Sequence, residues 1–200
     1  MKHNYDIEIL PLHLWRNKET DAYKILYHFF DYTSLDMCRQ QLKTWFAAAF
    51  AEDYAWKDSP ANLLFFYERF EVLLYACWLL SGKNKTNNTQ KKKAAWFRVS
   101  ALSQHKAERI ETFKFLNAYE IQTPVFVLSA FYEKTNLDTW RTELHNWLEA
   151  GLGKQTITHI CDTENILPVM EQLQKLVEAA YCIHQSHLCE MINRKKRNDH

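Results

Sequence analysis

Seven basic side chains and no acidic one lie between Val72 and Ala107, which gives this window a formal charge of +7. The rest of the chain carries −6, so the nearly neutral total hides a segregation of charge. Concentrated Lys and Arg attract phosphate groups because their binding releases condensed counterions. The window therefore predicts a site for nucleic acid or another polyanion, and a merely solvated basic loop is the alternative.

Aromatic residues accompany these cations, since Trp96 and Phe97 lie between Lys93 and Arg98. Aromatic rings beside cations can stack on unpaired bases, although rings in a helix are also commonly buried. The candidate nucleic-acid contacts are Lys83, Lys85, Lys91, Lys92, Lys93, Trp96, Arg98 and Arg109. A second basic cluster, Arg194 to Arg197, lies near the end of the chain.

Arg98 and His105 are separated by six residues on one predicted helix, so their side chains point in directions about 20° apart. This spacing resembles the Arg-His motif of the HEPN ribonucleases, a family of small all-helical proteins that typically act as dimers. The resemblance covers this spacing alone. It implies that His105 is a general acid or base, that Arg98 steadies the scissile phosphate, and that no metal is needed. Arg194 and His200 also have a spacing that this motif allows. Because such pairs therefore arise by chance, the sequence favours a protein without enzymatic activity.

Cys182, His184, His187 and Cys189 could be read as zinc ligands. On a helix, however, the two cysteines share one face while the two histidines point to nearly the opposite side, and one tetrahedral site cannot use all four. Three glycines are too few for any phosphate-binding glycine loop. We therefore expect neither a metal nor a cofactor.

The elements that must position these residues are helices. The stretch from Ser59 to Gly82 begins with an N-cap residue and a proline, ends on a glycine, and is apolar over most of its circumference. Such a helix is central to a bundle, and the short loop before it predicts that it lies antiparallel beside its predecessor. Its charged residues Glu68, Arg69 and Glu71 are interpreted as a structural ion pair, or else as the floor of a polar pocket.

Periodicity predicts six further helices. They cover about residues 19–32, 34–56, 92–119, 123–133, 136–151 and 165–193. Residues 83–93 are predicted to be an exposed basic loop, and residues 194–200 a flexible basic tail. The sequence thus predicts an all-α single domain over residues 1–200, a bundle of about six or seven helices around residues 59–82.

We expect a cytoplasmic protein. The start of the chain has no apolar run behind a basic end, and no stretch has the roughly 20 apolar residues of a membrane span. The five cysteines are odd in number and form no CxxC pair, which favours reduced thiols. The function predicted is that of a helical interaction or regulatory protein with a protein partner or a second copy of itself. The alternative is nucleic-acid binding by residues 83–109, with a HEPN-like ribonuclease as its enzymatic form.

The nucleic-acid interpretation predicts steep salt dependence. Affinity for single-stranded RNA or DNA should fall with a log–log slope of about −0.7 per phosphate neutralised. Changing Lys91, Lys92 and Lys93 to Gln should flatten this slope by roughly two to three phosphates. Trp96→Ala should weaken binding by about 1–3 kcal/mol with the slope unchanged. A folded protein that binds neither nucleic acid at low salt would contradict this interpretation and the ribonuclease with it.

Overall fold

The computed structural model describes residues 21–51, 54, 59–82, 113–153 and 166–198, with the side chains of the last range described from 167 to 191. These ranges contain seven α-helices and no strand. The helices are α1 (Ala22–Tyr32), α2 (Leu35–Phe50), α3 (Pro60–Leu80), α4 (Ala118–Gln122), α5 (Pro124–Lys134), α6 (Leu137–Leu152) and α7 (Ile166–Asn198). The prediction of an all-α single-domain bundle is confirmed.

Helix α3 begins and ends at the predicted residues. The Ser59 hydroxyl accepts a hydrogen bond of 3.3 Å from the Ala61 amide, and Pro60 occupies the first turn. Gly82 follows the C-terminus with a φ of 73°, a conformation that a residue without a Cβ adopts at little cost. Local residue types therefore determine this helix.

Two helix ends differ from the prediction. Helix α2 was predicted to reach Trp56 but ends at Phe50. The next residues in sequence, Glu52 and Asp53, are acidic, and negative charge is unfavourable in the last turn of a helix. Helix α7 was predicted to end near Asn193 but continues to Asn198. The residues added are mostly Lys and Arg, which are good helix formers and suit the negative end of the helix dipole.

The predicted helix over residues 92–119 is wrong at its C-terminal end, because residues 113–117 are not helical. Asn117 instead caps the new helix α4, accepting hydrogen bonds from the amides of Tyr119 and Glu120. The Glu120 carboxylate accepts in return from the Asn117 amide at 2.9 Å. This reciprocal pair is a capping box, and its Asn-x-x-Glu spacing in the sequence would have predicted the interruption.

Glu178 of α7 holds this non-helical turn in place. Its carboxylate, which is completely buried, accepts hydrogen bonds from the amides of Lys114, Phe115 and Leu116 at 2.9 to 3.0 Å. The buried guanidinium of Arg39 in α2 also donates to it and forms an ion pair with it. One side chain thus joins α2, α7 and the turn before α4.

Helix α3 contacts α1, α2, α5 and α6, which agrees with its predicted central place. Its main neighbours are α1 and α6, however, and its contact with the preceding helix α2 is short. The prediction that α3 lies beside α2 is therefore wrong for most of its length. Helix α7, which the sequence did not single out, contacts α1, α2, α4 and α5 and is equally central.

The contact between α2 and α3 centres on Trp45, which is fully buried. Its ring lies 5.8 to 6.2 Å from the rings of Phe66, Tyr67 and Phe70 in α3, each nearly perpendicular to it. The Trp147 ring of α6 makes a similar edge contact at 6.2 Å. Such edge-to-face pairs add specific geometry to apolar burial, so Trp45 fixes how three helices meet.

Gly151 is inside α6 and buried, whereas the sequence predicted it as a stop signal. A Cβ placed on it would lie 3.1 Å from Leu63 Cδ2 and 3.6 Å from the Cβ of Ala48. The missing side chain lets α6 approach α2 and α3 closely. The helix ends one residue later at Leu152, and its C-cap is Gly153, the second glycine at which the sequence predicts a stop.

The charged residues of α3 divide between two roles. Glu71 accepts a hydrogen bond of 3.1 Å from Arg141 Nε of α6, an ion pair of the structural kind predicted. Arg69 instead donates to the main-chain carbonyl of Phe29 at 3.0 Å, which ties α3 to the end of α1. Glu68 is exposed.

Removing the Glu178 carboxylate should destabilise the bundle strongly. Glu178→Ala leaves three main-chain amides without their acceptor and the buried Arg39 guanidinium with its 2.9 Å ion pair to Asp36 but without the buried carboxylate. We expect a loss of about 3–5 kcal/mol in the free energy of unfolding. Urea denaturation followed by circular dichroism measures it. Glu171→Ala, an exposed position on the same helix, is the matched control and should change stability by less than about 0.5 kcal/mol. Equal effects of the two substitutions would contradict the role of Glu178.

Candidate functional site

The residues that the sequence proposed for nucleic-acid contact or catalysis lie outside the described part of the chain. This applies to the cationic and aromatic candidates and to His105 alike: Lys83, Lys85, Lys91, Lys92, Lys93, Trp96, Arg98 and Arg109. Their assignments remain predictions. The candidate site built below comes from residues that the sequence analysis did not select.

A cleft of about 400 Å³ opens between α2 and α3. Each helix lines it with residues spaced i, i+3, i+4 and i+7, the spacing that places side chains on one helical face. The row from α2 is Met37, Gln40, Gln41 and Thr44, and the row beginning at the cap of α3 is Ser59, Asn62, Leu63 and Phe66. The cleft lies beside the short contact that Trp45 makes with α3.

Ten of the residues that the structure describes line the cleft, none of these ten is charged, and they divide into a polar and an apolar set. Amides and hydroxyls come from Gln40, Gln41, Thr44, Tyr54, Ser59 and Asn62. Apolar surface comes from Met37, Leu63, Phe65 and Phe66. Because no carboxylate, imidazole or thiol is among them, this lining offers hydrogen bonds and apolar contact to a ligand.

Gln41 is the most unusual group in the cleft. Its amide oxygen is buried, and no donor among the described residues lies within hydrogen-bond distance of it. A buried acceptor that has lost its water without gaining a donor costs about 1–3 kcal/mol. The neighbouring Gln40 is exposed, so water can satisfy its amide. Among the described residues that line the cleft, Gln41 therefore has a buried acceptor without a donor, behind the surface that a ligand would contact.

Phe65 is an exposed ring that lines the cleft, and Arg69 lies over it and over the rings of Tyr32 and Phe29. Its guanidinium carbon lies 5.6 Å from the ring centre of Phe65, 5.2 Å from that of Tyr32 and 5.4 Å from that of Phe29. Phe65 is 46% exposed, and Tyr32 is 68% exposed. Cations over aromatic faces are attracted by the ring quadrupole, so Arg69 orders an apolar rim that would otherwise be free to move.

The face of α2 that lies opposite the cleft packs on α7, and this contact fixes the rotation of α2 about its axis. Arg39 points toward α7, where it binds Glu178, and its main-chain carbonyl accepts from Gln174 Nε2 at 3.4 Å. The cleft row of α2 lies about 150° around the helix from Arg39. Anchoring Arg39 in the core therefore presents Met37 and Gln41 to α3.

The four residues considered as zinc ligands do not converge. Cys182 is buried and donates to the Ile121 carbonyl of α4 at 3.3 Å. His184 and His187 face α1 instead, where the His187 ring stacks on Tyr23 at 4.5 Å. Within the described ranges, no group of three or more His, Cys, Asp or Glu side chains is arranged to hold a metal ion.

His184 is 7% exposed and packs among the rings of Phe30, Tyr27 and Tyr181. Burial, the largest cause, and the neighbouring His187 lower the pKa of its imidazole to about 4, while Asp31 opposes the shift. The imidazole is therefore neutral near pH 7 and contributes an aromatic surface to the core.

Comparisons of the chain with protein-family models, with curated proteins and with solved structures found no match. None of the helices that the structure describes has both the length and the apolar character needed to cross a bilayer. The function is therefore argued from the cleft and its rim.

The sequence carried one weak signal of the cleft. The polar positions in these two rows are uncharged amides and hydroxyls, whereas a solvated helical face more often has Lys and Glu. The apolar stripe of each helix predicts only its buried face and does not select these positions. Which two rows would face each other depended on helix packing.

The buried imidazole of His184 predicts acid sensitivity. Below its ordinary pKa of about 6.5, the unfolded chain binds a proton that the folded state excludes until about pH 4, so stability falls as the pH decreases through this window. His184→Phe removes the titrating group and keeps an aromatic ring. From pH 7 to pH 5 the variant should lose about 1–2 kcal/mol less free energy of unfolding than the wild type. If the free energy of unfolding of the wild type and of His184→Phe, measured by urea denaturation, changes equally with pH, His184 does not contribute to the acid sensitivity.

Proposed function

We propose that this protein is a non-enzymatic interaction module that binds a partner polypeptide at the cleft between α2 and α3. The observation that carries the proposal is a cleft whose described lining residues are uncharged and include two exposed apolar side chains, Phe65 and Met37, which are 46% and 51% exposed. Exposed apolar surface next to a concave site is typical of interaction surfaces. Under this proposal, the interaction or regulatory role expected from the sequence is exerted at this cleft.

The dimensions of the surface favour a partner larger than a metabolite. The cleft of about 400 Å³ falls at the lower end of the range for ligand pockets. Apolar surface continues outside it, from Phe65 across Arg69 to the exposed ring of Tyr32. A small molecule inside the cleft would leave that rim in water, whereas a polypeptide would cover both.

The exposed rings of Phe65 and Tyr32 are also positioned by Arg69 before a partner binds. Aromatic side chains carry much of the energy of protein interfaces, and ordering them before binding reduces the entropy lost on association. Arg69 orders Phe65 and Tyr32, and it is itself fixed by its hydrogen bond to the Phe29 carbonyl. Phe65 is therefore the residue of the site whose truncation should cost the most affinity.

A second candidate function is nucleic-acid binding by residues 83–109. Its support is the charge segregation in the sequence, +7 between Val72 and Ala107 against −6 elsewhere. The two functions use different parts of the chain, since none of the described lining residues of the cleft belongs to residues 83–109. The salt titration described above tests it separately.

Selection from a phage-displayed library of random peptides tests the main proposal. We expect enrichment of a shared sequence whose synthetic peptide binds the folded protein. Phe65→Ala should weaken that binding by about tenfold or more, because aromatic anchors typically contribute at least 1–2 kcal/mol. Asn62→Ala should weaken it less, since Asn62 is exposed and water replaces its hydrogen bonds.

Phe126→Ala is the matched control. Phe126 is 62% exposed on α5 and does not line the cleft, so its truncation should leave the affinity unchanged. Circular dichroism verifies that each variant is folded. Failure to enrich any sequence, or equal losses from Phe65→Ala and Phe126→Ala, would refute binding at the cleft.

A further inference from the structure

We infer that Arg69, which lies against the exposed rings of Phe65 and Tyr32, binds a carboxylate of the partner polypeptide, from an acidic side chain that is flanked by apolar residues. This inference rests on the proposed function and specifies the chemistry of its ligand. It assigns to Arg69 a direct contact with the partner, in addition to its hydrogen bond and ring contacts within the bundle.

The argument begins with the donors of the Arg69 guanidinium. A guanidinium carries several N–H groups in one plane, and here Nη2 donates to the Phe29 carbonyl at 3.0 Å. No carboxylate among the described residues lies within ion-pair distance of it. The side chain is partly exposed, and none of its nitrogens is among the buried polar atoms that lack a partner. Arg69 therefore has donors that a ligand can reach.

The other two arginines whose side chains the structure describes differ in this respect. Arg39 forms an ion pair with the buried Glu178 carboxylate, and Arg141 forms one with Glu71. Arg69 has aromatic rings in their place. Such rings attract a cation through their faces, but they bring no negative charge and no carboxylate oxygen, so within the described bundle the Arg69 charge has no counterion.

This charge has also lost part of its water. Burial lowers the pKa of the Arg69 guanidinium, and the groups that oppose the shift are the Cys38 thiol and the Tyr32 hydroxyl rather than carboxylates. A partly desolvated cation gains more from an anion than a fully solvated one, because the local dielectric constant is lower. A guanidinium stacks on rings through its faces and binds a carboxylate through its edge, so both contacts can be made together.

Two acidic residues beside this site in the chain are not the missing counterion. Asp31 and Glu68 precede Tyr32 and Arg69, but both are exposed, and neither forms an ion pair with Arg69. Exposed carboxylates are well solvated and gain little from a partner. The group with the most to gain from an opposite charge is therefore the arginine, which favours an acidic partner over a basic one.

The surroundings of Arg69 indicate what flanks the carboxylate. Phe65 and Tyr32 are 46% and 68% exposed, and Phe65 also lines the cleft together with the exposed Met37. A small acid bound at Arg69 would leave this apolar surface in water. An acidic residue within an apolar segment places a carboxylate on the arginine and covers the rings with its neighbours.

Nucleic acid also carries anions, and its bases could stack on Phe65. Its affinity, however, comes from several cations that follow a chain of phosphates. Among the described residues of the cleft and rim, Arg69 is the one cation. A single arginine beside apolar rings matches one carboxylate in an apolar polypeptide segment more closely than it matches a phosphate backbone.

The experiment combines a protein variant with a ligand variant in a double-mutant cycle. The probe is the synthetic peptide obtained from the phage selection, with each Asp and Glu changed in turn to Asn and Gln. One of these changes should lower the affinity for the wild-type protein by about tenfold or more. In Arg69→Gln the same change should cost no more than about twofold, because the paired cation is absent.

Arg69→Gln also removes the ring contacts, which weakens both peptides alike, so the cycle cancels this effect. Arg69→Lys keeps a positive charge but not the planar pair of donors, and in it the peptide change should cost about threefold. Lys24→Gln is the matched control, since it removes an exposed positive charge from α1. In it, the full effect of the peptide change should persist. Circular dichroism verifies that each variant is folded.

Glu68→Gln tests the sign of the charge on the partner. Removing this exposed like charge should strengthen binding of the acidic peptide by up to about threefold. Weaker binding would show that the partner brings a cation to Glu68, and it would overturn the inference.

A selected peptide that binds in a Phe65-dependent manner but has no acidic residue coupled to Arg69 would overturn this inference while the proposed function stands. No selected peptide at all would overturn both. Short oligoadenylate and oligouridylate are the nucleic-acid probes. If they bind the wild type and lose binding in Arg69→Gln, the ligand of this site is a phosphate backbone, and the inference is wrong.

Discussion

The carboxylate of Glu178 is the constraint on which much of this structure depends. A buried carboxylate is costly unless it is fully bonded, and here it binds the Arg39 guanidinium and three successive main-chain amides. It thereby joins α2 to α7 and replaces the helical hydrogen bonds that residues 114–116 would otherwise need. Ion pairs of this kind contribute little net stability compared with apolar packing, but they penalise every arrangement that separates them. Their main effect is to specify one arrangement of the helices.

The position of α2 has consequences on its other face. With Arg39 fixed against α7 and Trp45 fixed against α3 and α6, helix α2 cannot rotate to bury its row of amides. Gly151 allows α6 to approach closely at the same junction. The remaining space between α2 and α3 forms the cleft, and the Gln41 amide oxygen remains buried in it. An unfavourable group that strong packing elsewhere keeps in place is characteristic of functional positions in proteins whose other residues favour the fold.

The elements of the fold were largely determined by local sequence. Ser59, Pro60 and Gly82 defined the ends of α3, Ser34 began α2, and Asn136 capped α6, because capping and glycine conformations involve only neighbouring residues. The same local rule would have placed the start of α4 at Asn117. The apolar period over residues 113–116 continued the preceding pattern, however, and suggested a longer helix. The competing bonds to Glu178 come from a residue more than sixty positions away.

The sequence by itself determined the fold class, most of the helix starts and the central place of α3, since periodicity and end signals are encoded within a few residues. It also determined the segregation of charge, and the nucleic-acid contacts assigned to those basic residues remain predictions. Only the tertiary structure decided which helical faces meet: that α3 packs mainly on α1 and α6, that α7 is equally central, and that two rows of polar and apolar residues enclose a cleft. Neighbours on one helix are set by the 3.6-residue period, but contacts between helices depend on bulky, small and charged residues far apart in the chain, such as Trp45, Gly151 and the Arg39–Glu178 pair.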